Sequence, residues 1–286
     1  MNRRKFIRNS ALSAGIISLP SYTAPSLPSL YGKKASDEVF LGNTGLKVTR
    51  MAIGTGTSGW NKQSNQTRKL GIQGLTSLLQ YAYDQGIRFW DSADQYGTHP
   101  HLREALKYLP REKIVILTKT HASTQEEMKA DLDRYRSEIG TDYIDIVLLH
   151  CMLDANWPEK KKGAMEYLTE AREKGIIKAH GVSCHTLKAL KTAAESDWVQ
   201  VDLVRINPTG DNMDADVSTV ISMLKKMHTT GKGIIGMKIF GGGTLTSRVD
   251  GCLQFILSQN FVDSFSIGIE SKEQLEEILR KIPNLS

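Results

Sequence analysis

From Val39 onward, short apolar runs rich in β-branched residues alternate with longer segments whose apolar residues recur at helical spacing. This alternation is typical of repeated strand–helix units with parallel strands. The runs that predict strands begin near Arg50, Phe89, Ile114, Tyr143, Ile177, Leu203, Ile234 and Ser264. The segments that predict helices are 72–85, 102–108, 124–139, 164–174, 186–196, 217–230, 248–260 and 272–282. The pattern therefore predicts eight strand–helix units.

Eight such units over about 250 residues are typical of a (β/α)8 TIM barrel. Before them, the turn sequence Gly-Asn-Thr-Gly at 42–45 lies between two short apolar runs, which predicts an N-terminal β-hairpin. An open doubly wound sheet is the alternative, because residues 54–59 have the spacing G-x-G-x-x-G. In that fold a helix follows the glycines directly, whereas here the predicted helix starts about a dozen residues later. We therefore prefer the barrel.

The net charge is concentrated at the start of the chain. The sequence has 286 residues and a formal net charge of +6. Six basic residues precede the first acid, Asp37, and they are Arg3, Arg4, Lys5, Arg8, Lys33 and Lys34. Residues 35–286 therefore carry no net formal charge. This argues against nucleic acid as a partner of the folded part.

Residues 1–34 are typical of an export leader. The adjacent basic residues Arg3 and Arg4 precede the apolar run 11–19 and a Pro- and Ser-rich stretch at 20–31. This arrangement resembles a twin-arginine signal, and the apolar run is too short for a stable membrane span. We expect the twin-arginine machinery to export the protein to the periplasm and residues 35–286 to form one barrel domain. A disordered basic tail is the alternative.

Ionisable residues follow three consecutive predicted strands. Asp91, Lys119 and His150 occupy these positions, and Tyr96 lies in the loop after Asp91. Strand ends meet at one mouth of a barrel, so the four side chains are expected to lie together. Lys119 can lower the pKa of the tyrosine, Asp91 can orient the lysine, and His150 can bind a substrate oxygen. Because the set contains no nucleophile, reduction of a carbonyl would need a hydride from a nicotinamide cofactor.

Several spaced motifs resemble the aldo-keto reductase family over nearly the whole stretch from Val39 to Ile282. They lie at 41–48, 91–97, 118–120, 148–150 and 174–183. The resemblance implies an NAD(P)-dependent oxidoreductase that interconverts a carbonyl compound (an aldehyde, ketone or sugar) and an alcohol. It also implies a catalytic tetrad, with Tyr96 as general acid, Lys119 and Asp91 as its supporting pair and His150 as the residue that orients the substrate.

The resemblance further implies a dinucleotide bound across the barrel mouth. The residues matched to its binding are Gly54, Thr55, Ser183, Arg205, Lys238, Phe240, Gly241, Gly243 and Gln274. The chain departs from the family pattern at several of them: Arg205 replaces a glutamine, Lys238 a serine and Gln274 an arginine. NADP(H) is expected rather than NAD(H), a preference taken from the family and weakened by the missing arginine.

Two other functions are compatible with parts of the sequence. The first is a metal-dependent hydrolase or lyase, since six residues near strand ends can bind zinc by type: His121, His150, Cys151, His180, Cys184 and His185. Against it, a strand places His180 and Ser183 on opposite faces, and no histidine pair has helical i, i+4 spacing. We assign no metal ligand. The second is a catalytically inactive binding barrel, which would not need the tyrosine–lysine pair.

The three tryptophans near strand ends have different expected roles. Trp90 is adjacent to Asp91 on a strand, so its side chain should point away from the mouth and toward the helices. Trp60 and Trp157 lie in predicted loops beyond strand ends. They are candidates for a wall of the substrate pocket.

Overall fold

A computed structural model describes residues 32–285. The predicted twin-arginine motif and apolar run lie outside these residues. Within the described range, no helix is both long enough and apolar enough to cross a membrane.

Eight parallel strands form a closed barrel in sequence order, and the last strand pairs with the first. The barrel strands are β3 Met51–Gly54, β4 Phe89–Asp91, β5 Val115–Thr120, β6 Ile144–Met152, β7 Ile177–Cys184, β8 Val201–Arg205, β9 Gly233–Met237 and β10 Ser264–Gly268. An antiparallel hairpin, β1 Glu38–Phe40 and β2 Lys47–Thr49, precedes them. The predicted (β/α)8 barrel and its N-terminal hairpin are therefore confirmed.

The described helices are α1 Asn65–Asp84, α2 His99–Leu106, α3 Gln125–Ile139, α4 Trp157–Lys160, α5 Lys162–Glu173, α6 Leu187–Glu195, α7 Val217–Thr229, α8 Val249–Ser258 and α9 Lys272–Lys281. Helix α1 begins earlier than residue 72, because Ser64 and Thr67 form a capping box that starts an extra helical segment. Gly71, at φ 60° and ψ −171°, separates this segment from the rest of α1. The short helix α4 has no counterpart among the predicted helices.

Successive side chains along each strand point alternately into the barrel and toward the helices, and this produces two hydrophobic cores. Leu117, Leu148 and Leu203 point into the barrel, whereas Trp90 and Val147 pack outside it against the helices. Trp90 thus points as expected from its position next to Asp91. The two cores separate the interior of the barrel from the layer that attaches the helices.

The hairpin closes the end of the barrel where the strands begin. Leu41 and Val48 from the hairpin join the interior core. The backbone N–H of Asn43 donates to the carbonyl of Gly231, just before β9. A Cβ on Gly42, which has φ +47°, would lie 2.4 Å from the backbone nitrogen of Gly233. With this end closed, access to the interior is from the end where the strands finish.

Candidate active site

Tyr96 is the last residue of a 3-10 turn, Asp94–Tyr96, that follows β4. The turn is fixed to its surroundings by Asp94, which pairs with Lys62 and, at 2.6 Å, with Arg134 of α3. Gly97 follows the turn at φ +66°, where a Cβ would lie 2.0 Å from the carbonyl oxygen of Lys62. The position of Tyr96 is therefore determined by contacts with α3 and with the loop 55–63.

Two glycines in loop 55–63 form a slot for the Tyr96 ring, referred to here as the tyrosine slot. A Cβ on Gly56 would lie 2.1 Å from Cε2 of Tyr96, and one on Gly59 would lie 2.3 Å from Cδ1. Both positions therefore require a residue without a side chain. The G-x-G-x-x-G spacing at 54–59 thus has a steric explanation in this barrel.

Lys119 and Asp91 form a buried ion pair next to Tyr96. The Lys119 ammonium is 2.5 Å from Oδ1 of Asp91, 2.7 Å from the carbonyl oxygen of Ser92 and 4.8 Å from the centre of the Tyr96 ring. The other oxygen of Asp91 accepts a hydrogen bond of 2.6 Å from the hydroxyl of Ser266. Both charged groups are thus supplied with partners, as burial of an ion pair requires.

Among the influences on the pKa of Tyr96, burial is the largest. It raises the pKa of Tyr96, and Asp91 adds to the increase, while Lys119 lowers the pKa only in part. The net shift is therefore opposite to the lowered pKa expected from the sequence. For Lys119, burial opposes the charged form, but Asp91 and Tyr96 together raise its pKa above the ordinary value. At neutral pH the site thus contains a protonated phenol beside a charged lysine.

His150 approaches the Tyr96 ring edge-on, with the ring centres 5.8 Å apart. It belongs to an irregular part of β6: the register shifts between Leu149 and Met152, and Cys151 has φ +62°. Bulges of this kind redirect side chains next to active sites. Burial, together with the Lys119 ammonium and the neighbouring imidazoles of His121 and His185, lowers the pKa of His150 well below its usual range. His150 is therefore neutral at physiological pH.

A cavity of about 350 Å³ opens beside the Tyr96 ring. Its lining residues are Gly56, Ser58, Gly59, Trp60, Gln95, Tyr96, His185, Met237 and Lys238. Trp60 is 72% exposed at the rim, as expected for a wall of the pocket. Trp157 is only 2% exposed, because it starts α4 and packs against Trp198. The expectation that Trp157 contributes to a substrate wall is therefore wrong.

Two of the predicted cofactor residues, Gly54 and Thr55, are buried at the end of β3. Gly54 is packed against β10, since a Cβ there would lie 2.9 Å from the Ser266 hydroxyl. Thr55 donates both its backbone N–H and its hydroxyl to the carbonyl of Asp91. Both residues hold β3 against its neighbours.

Ser183 supports the irregular segment of β6. Its hydroxyl oxygen accepts a hydrogen bond of 2.9 Å from the backbone N–H of Cys151. The hydroxyl hydrogen of Ser183 is not used in this bond and can still be donated to a ligand.

Arg205 and Gln274 have protein partners. The Arg205 guanidinium binds the buried carboxylate of Asp214 and, at 2.6 Å, the carbonyl of His185. The Gln274 side-chain oxygen accepts a hydrogen bond of 2.8 Å from the backbone N–H of Glu270. Arg205 thus joins two loops at the mouth, and Gln274 stabilises the turn before α9.

Lys238 and the turn that follows it provide groups that suit an anion. Lys238 has φ +57°, and within residues 32–285 its ammonium has neither an ion pair nor a hydrogen bond. Burial, with Arg205 and Lys119 nearby, lowers the pKa of Lys238. Phe240 packs against the outer core just before Gly241 and Gly243, which have φ of +61° and +113°. Glycines of this conformation let the backbone of a turn come close to a phosphate, while the N–H groups of Gly241 and Gly243 themselves donate to the carbonyls of Lys238 and Phe240.

A sequence profile of the Aldo/keto reductase family matches residues 50–251. The chain belongs to this family. An aldo-keto reductase of Mycobacterium avium (strain 104) is 33% identical over 154 residues, which cover 49% of this chain and 50% of that protein. Glycerol 2-dehydrogenase (NADP(+)) of Saccharomyces cerevisiae is 27% identical over 175 residues, 52% of either protein. The matches thus span about half the length of these curated relatives.

The barrel also resembles solved structures of aldo-keto reductases. The holo form of aldo-keto reductase AKR11C1 from Bacillus halodurans superposes with a TM-score of 0.70 at 16% identity, covering 88% of this chain and 91% of that one. At this identity the similarity concerns the fold.

The residues considered for zinc do not form a cluster in this aldo-keto reductase. In the described part of the chain, the one group of three ligand-type side chains within reach of a common ion is Asp94, His99 and Glu138. It includes none of the histidines and cysteines considered above. Arg134 binds both Asp94 and Glu138. His180 lies on the outer face of β7, stacked on Trp198, as expected from strand alternation.

Sequence reasoning missed three contributors to this aldo-keto reductase site. Ser266, the partner of Asp91, is far from it in sequence, and only the closure of β10 against β3 brings the two together. Arg134 reaches Asp94 from α3. Gln95 lies within the motif 91–97, so the sequence indicated that it is near the site. Its contacts were not predictable, because they depend on the path of loop 55–63.

Proposed function

We propose that this aldo-keto reductase interconverts a carbonyl compound and an alcohol by hydride transfer, with Tyr96 as the general acid and base. The observation that carries the proposal is the buried Asp91–Lys119 pair beside a protonated Tyr96 at the wall of an open cavity. A bound nicotinamide cofactor would supply or accept the hydride.

The side chains would divide the proton chemistry as follows. As the carbonyl carbon receives hydride, its oxygen gains the electron pair of the C=O bond and takes the proton of Tyr96. Lys119 stabilises the phenolate that remains, and Asp91, held by Ser266, keeps the lysine charged and in place. Neutral His150 has one ring N–H to donate to the substrate oxygen. In alcohol oxidation the same groups act in reverse.

The cofactor that we propose is NADP(H) rather than NAD(H). Lys238 would hold a phosphate group, and the hydroxyl of Ser183 would donate to the carboxamide. The name of the yeast relative, glycerol 2-dehydrogenase (NADP(+)), supports this preference. Fluorescence titration should give a dissociation constant for NADPH at least about tenfold below that for NADH, a difference of about 1.4 kcal/mol. Tighter binding of NADH would reverse the assignment.

For the substrate we propose a polyhydroxylated carbonyl compound such as a sugar. The cavity combines polar groups from Ser58, Gln95 and Lys238 with the exposed indole of Trp60 at its rim. The hydroxyl groups of a sugar can bind these polar groups, while the C–H face of its ring packs on the Trp60 indole. A substrate panel that shows higher kcat/KM for aromatic aldehydes than for sugars would contradict this assignment.

The substitution Tyr96→Phe tests the catalytic role. It removes the acidic hydroxyl and retains the ring that fills the tyrosine slot, so NADPH affinity should be unchanged. Loss of a general acid typically reduces turnover by about 10²–10⁴-fold. Tyr108→Phe, at a residue 64% exposed on the surface, is the matched control and should have the activity of the parent. Equal kcat in the two variants would exclude Tyr96 from the role.

We also propose that residues 1–34 direct export to the periplasm by the twin-arginine route. The support is the charge and apolar pattern of the sequence. A fusion of residues 1–34 to a reporter that folds in the cytoplasm should be exported, and replacement of Arg3 and Arg4 by lysine should retain it inside. Export of both fusions, or of neither, would contradict the proposal.

A further inference from the structure

Within residues 32–285, the His150 imidazole lacks the hydrogen bond that commonly orients a catalytic histidine. Its Nδ1 is buried and has no hydrogen-bond partner among the described residues. In many active sites the second ring nitrogen donates to a carboxylate or carbonyl, which fixes both the tautomer and the ring orientation. Another contact must therefore hold this ring.

Two aromatic rings enclose His150. The His121 ring stacks on it, with the centres 4.8 Å apart and the planes at 27°. The Tyr96 ring meets it edge-on at 5.8 Å and 85°. Tilting the His150 ring out of its plane would displace one of these rings, so His121 and Tyr96 together restrict the plane of the His150 imidazole.

His121 is itself held by Gln95. Its Nε2 is 2.7 Å from the side-chain oxygen of Gln95. The Gln95 amide nitrogen donates to the carbonyl of Gly59 at 3.0 Å, which identifies the amide oxygen as the atom that faces His121. His121 Nε2 is therefore the donor. Lys161 binds the backbone carbonyl of His121 at 2.6 Å and fixes the start of the loop.

We propose that Gln95 and His121 form a positioning pair that holds the His150 ring by stacking and so directs its N–H toward the substrate oxygen. This inference rests on the proposed function. It assigns to Gln95 a role beyond that of a cavity wall, because the same amide joins the histidine stack to Gly59 of the tyrosine slot. One residue thus couples the placement of the proton donor with that of the substrate-orienting imidazole.

Two pairs of variants of the full chain separate stacking from simple packing. His121→Ala removes the ring, and His121→Phe restores a flat ring without the hydrogen bond. Displacement of a reacting group by about 1 Å can cost as much as 10²-fold. We therefore expect His121→Ala to lower kcat by about 10-fold or more at unchanged NADPH affinity, and His121→Phe to recover most of it. Gln95→Leu should resemble His121→Ala in direction. Gln95→Glu, which retains the acceptor for His121 but loses the N–H that binds Gly59, should have a kcat between those of Gln95→Leu and the parent.

His228→Ala is the matched control, since His228 is a partly exposed histidine of α7. It should leave kcat and NADPH affinity as in the parent. Loss of kcat in His121→Ala without recovery in His121→Phe would contradict stacking, as would wild-type kcat in both His121→Ala and Gln95→Leu.

A spectroscopic measurement gives a result that does not depend on turnover. In ¹⁵N-labelled full-length protein, the ring signals of His150 should be sharp in the parent and in His121→Phe, and broadened by exchange between ring orientations in His121→Ala. Unchanged His150 signals in His121→Ala would overturn the positioning role even if the protein proved to have no reductase activity. Absence of NADPH binding in the parent would instead refute the proposed function and leave this measurement to decide the inference.

Discussion

At the scale of single residues, the position of Tyr96 depends as much on two glycines, which have no side chain, as on charged neighbours. Gly56 and Gly59 leave room for the ring, and Lys119 contacts it from the ion pair with Asp91. Burial, which these contacts impose, keeps the phenol protonated against the effect of the lysine. Proton donation therefore needs no preceding titration step near neutral pH.

The substitution Gly56→Ala tests this steric requirement. The new Cβ would lie 2.1 Å from the Tyr96 ring, so the ring or loop 55–63 must move. We expect kcat to fall by about 10²-fold, as for a displaced catalytic group, with the circular dichroism of the barrel unchanged. Gly251→Ala is the control, because a Cβ on Gly251 meets no atom within 4 Å. Full activity of Gly56→Ala would show that the slot is not required.

The sequence predicted the candidate residues better than their contacts. Asp91, Tyr96, Lys119 and His150 were predicted to lie together because strand ends meet at one mouth, and the structure brings them together. The partners of Arg205 were not predictable, since Asp214 lies in a long loop whose path no local pattern determines. Contacts between loops depend on tertiary packing, which periodicity does not encode.

At the scale of elements, α1 shows how a helix boundary escapes the hydrophobic pattern. Apolar periodicity begins at Ile72, but the capping box at Ser64 starts an earlier segment with little apolar content. Gly71 joins the two with φ 60° and ψ −171°, a conformation almost restricted to glycine. The sequence thus predicted that the helix exists but not where it starts.

Two identical substitutions in helices should therefore have opposite effects on stability. Gly71→Ala places a side chain in a strained backbone conformation and should lower the free energy of unfolding by about 1–3 kcal/mol. Gly251→Ala, in α8 with ordinary helical geometry and open space, should raise it by about 1 kcal/mol through helix propensity. Urea unfolding of both variants measures the difference. Stabilisation by Gly71→Ala would contradict the assigned kink.

At the scale of the whole molecule, the layer between barrel and helices contains an ionisable group that the site does not use. Asp202 of β8 is fully buried, and its carboxyl group faces Cys184 and has no ion-pair partner in the part of the chain that the structure describes. Burial, reinforced by the charge of Asp214, raises the pKa of Asp202 well above its usual range. The folded protein therefore retains this proton where the unfolded chain releases it.

The pH dependence of stability follows in sign from that shift. The contribution of a group whose pKa is raised on folding is complete below its unfolded pKa, about 3.9 for aspartate, and is lost as the pH rises through the folded value. Asp202→Asn removes this loss, so the stability of the variant relative to the parent should increase between pH 5 and pH 8. Urea unfolding at the two pH values measures it, with Asp142→Asn at an exposed position as control. A constant difference between variant and parent would contradict the assignment.

Loop 55–63 limits which sequence changes this aldo-keto reductase can accept. The loop carries Trp60 and Ser58 at the cavity, and the same few residues include Gly56 and Gly59 against the Tyr96 ring. Positions 58 and 60 can change without touching the ring, whereas positions 56 and 59 do not tolerate even a methyl group. Related sequences can therefore acquire new ligand preferences through changes at positions 58 and 60, provided that Gly56 and Gly59 are retained.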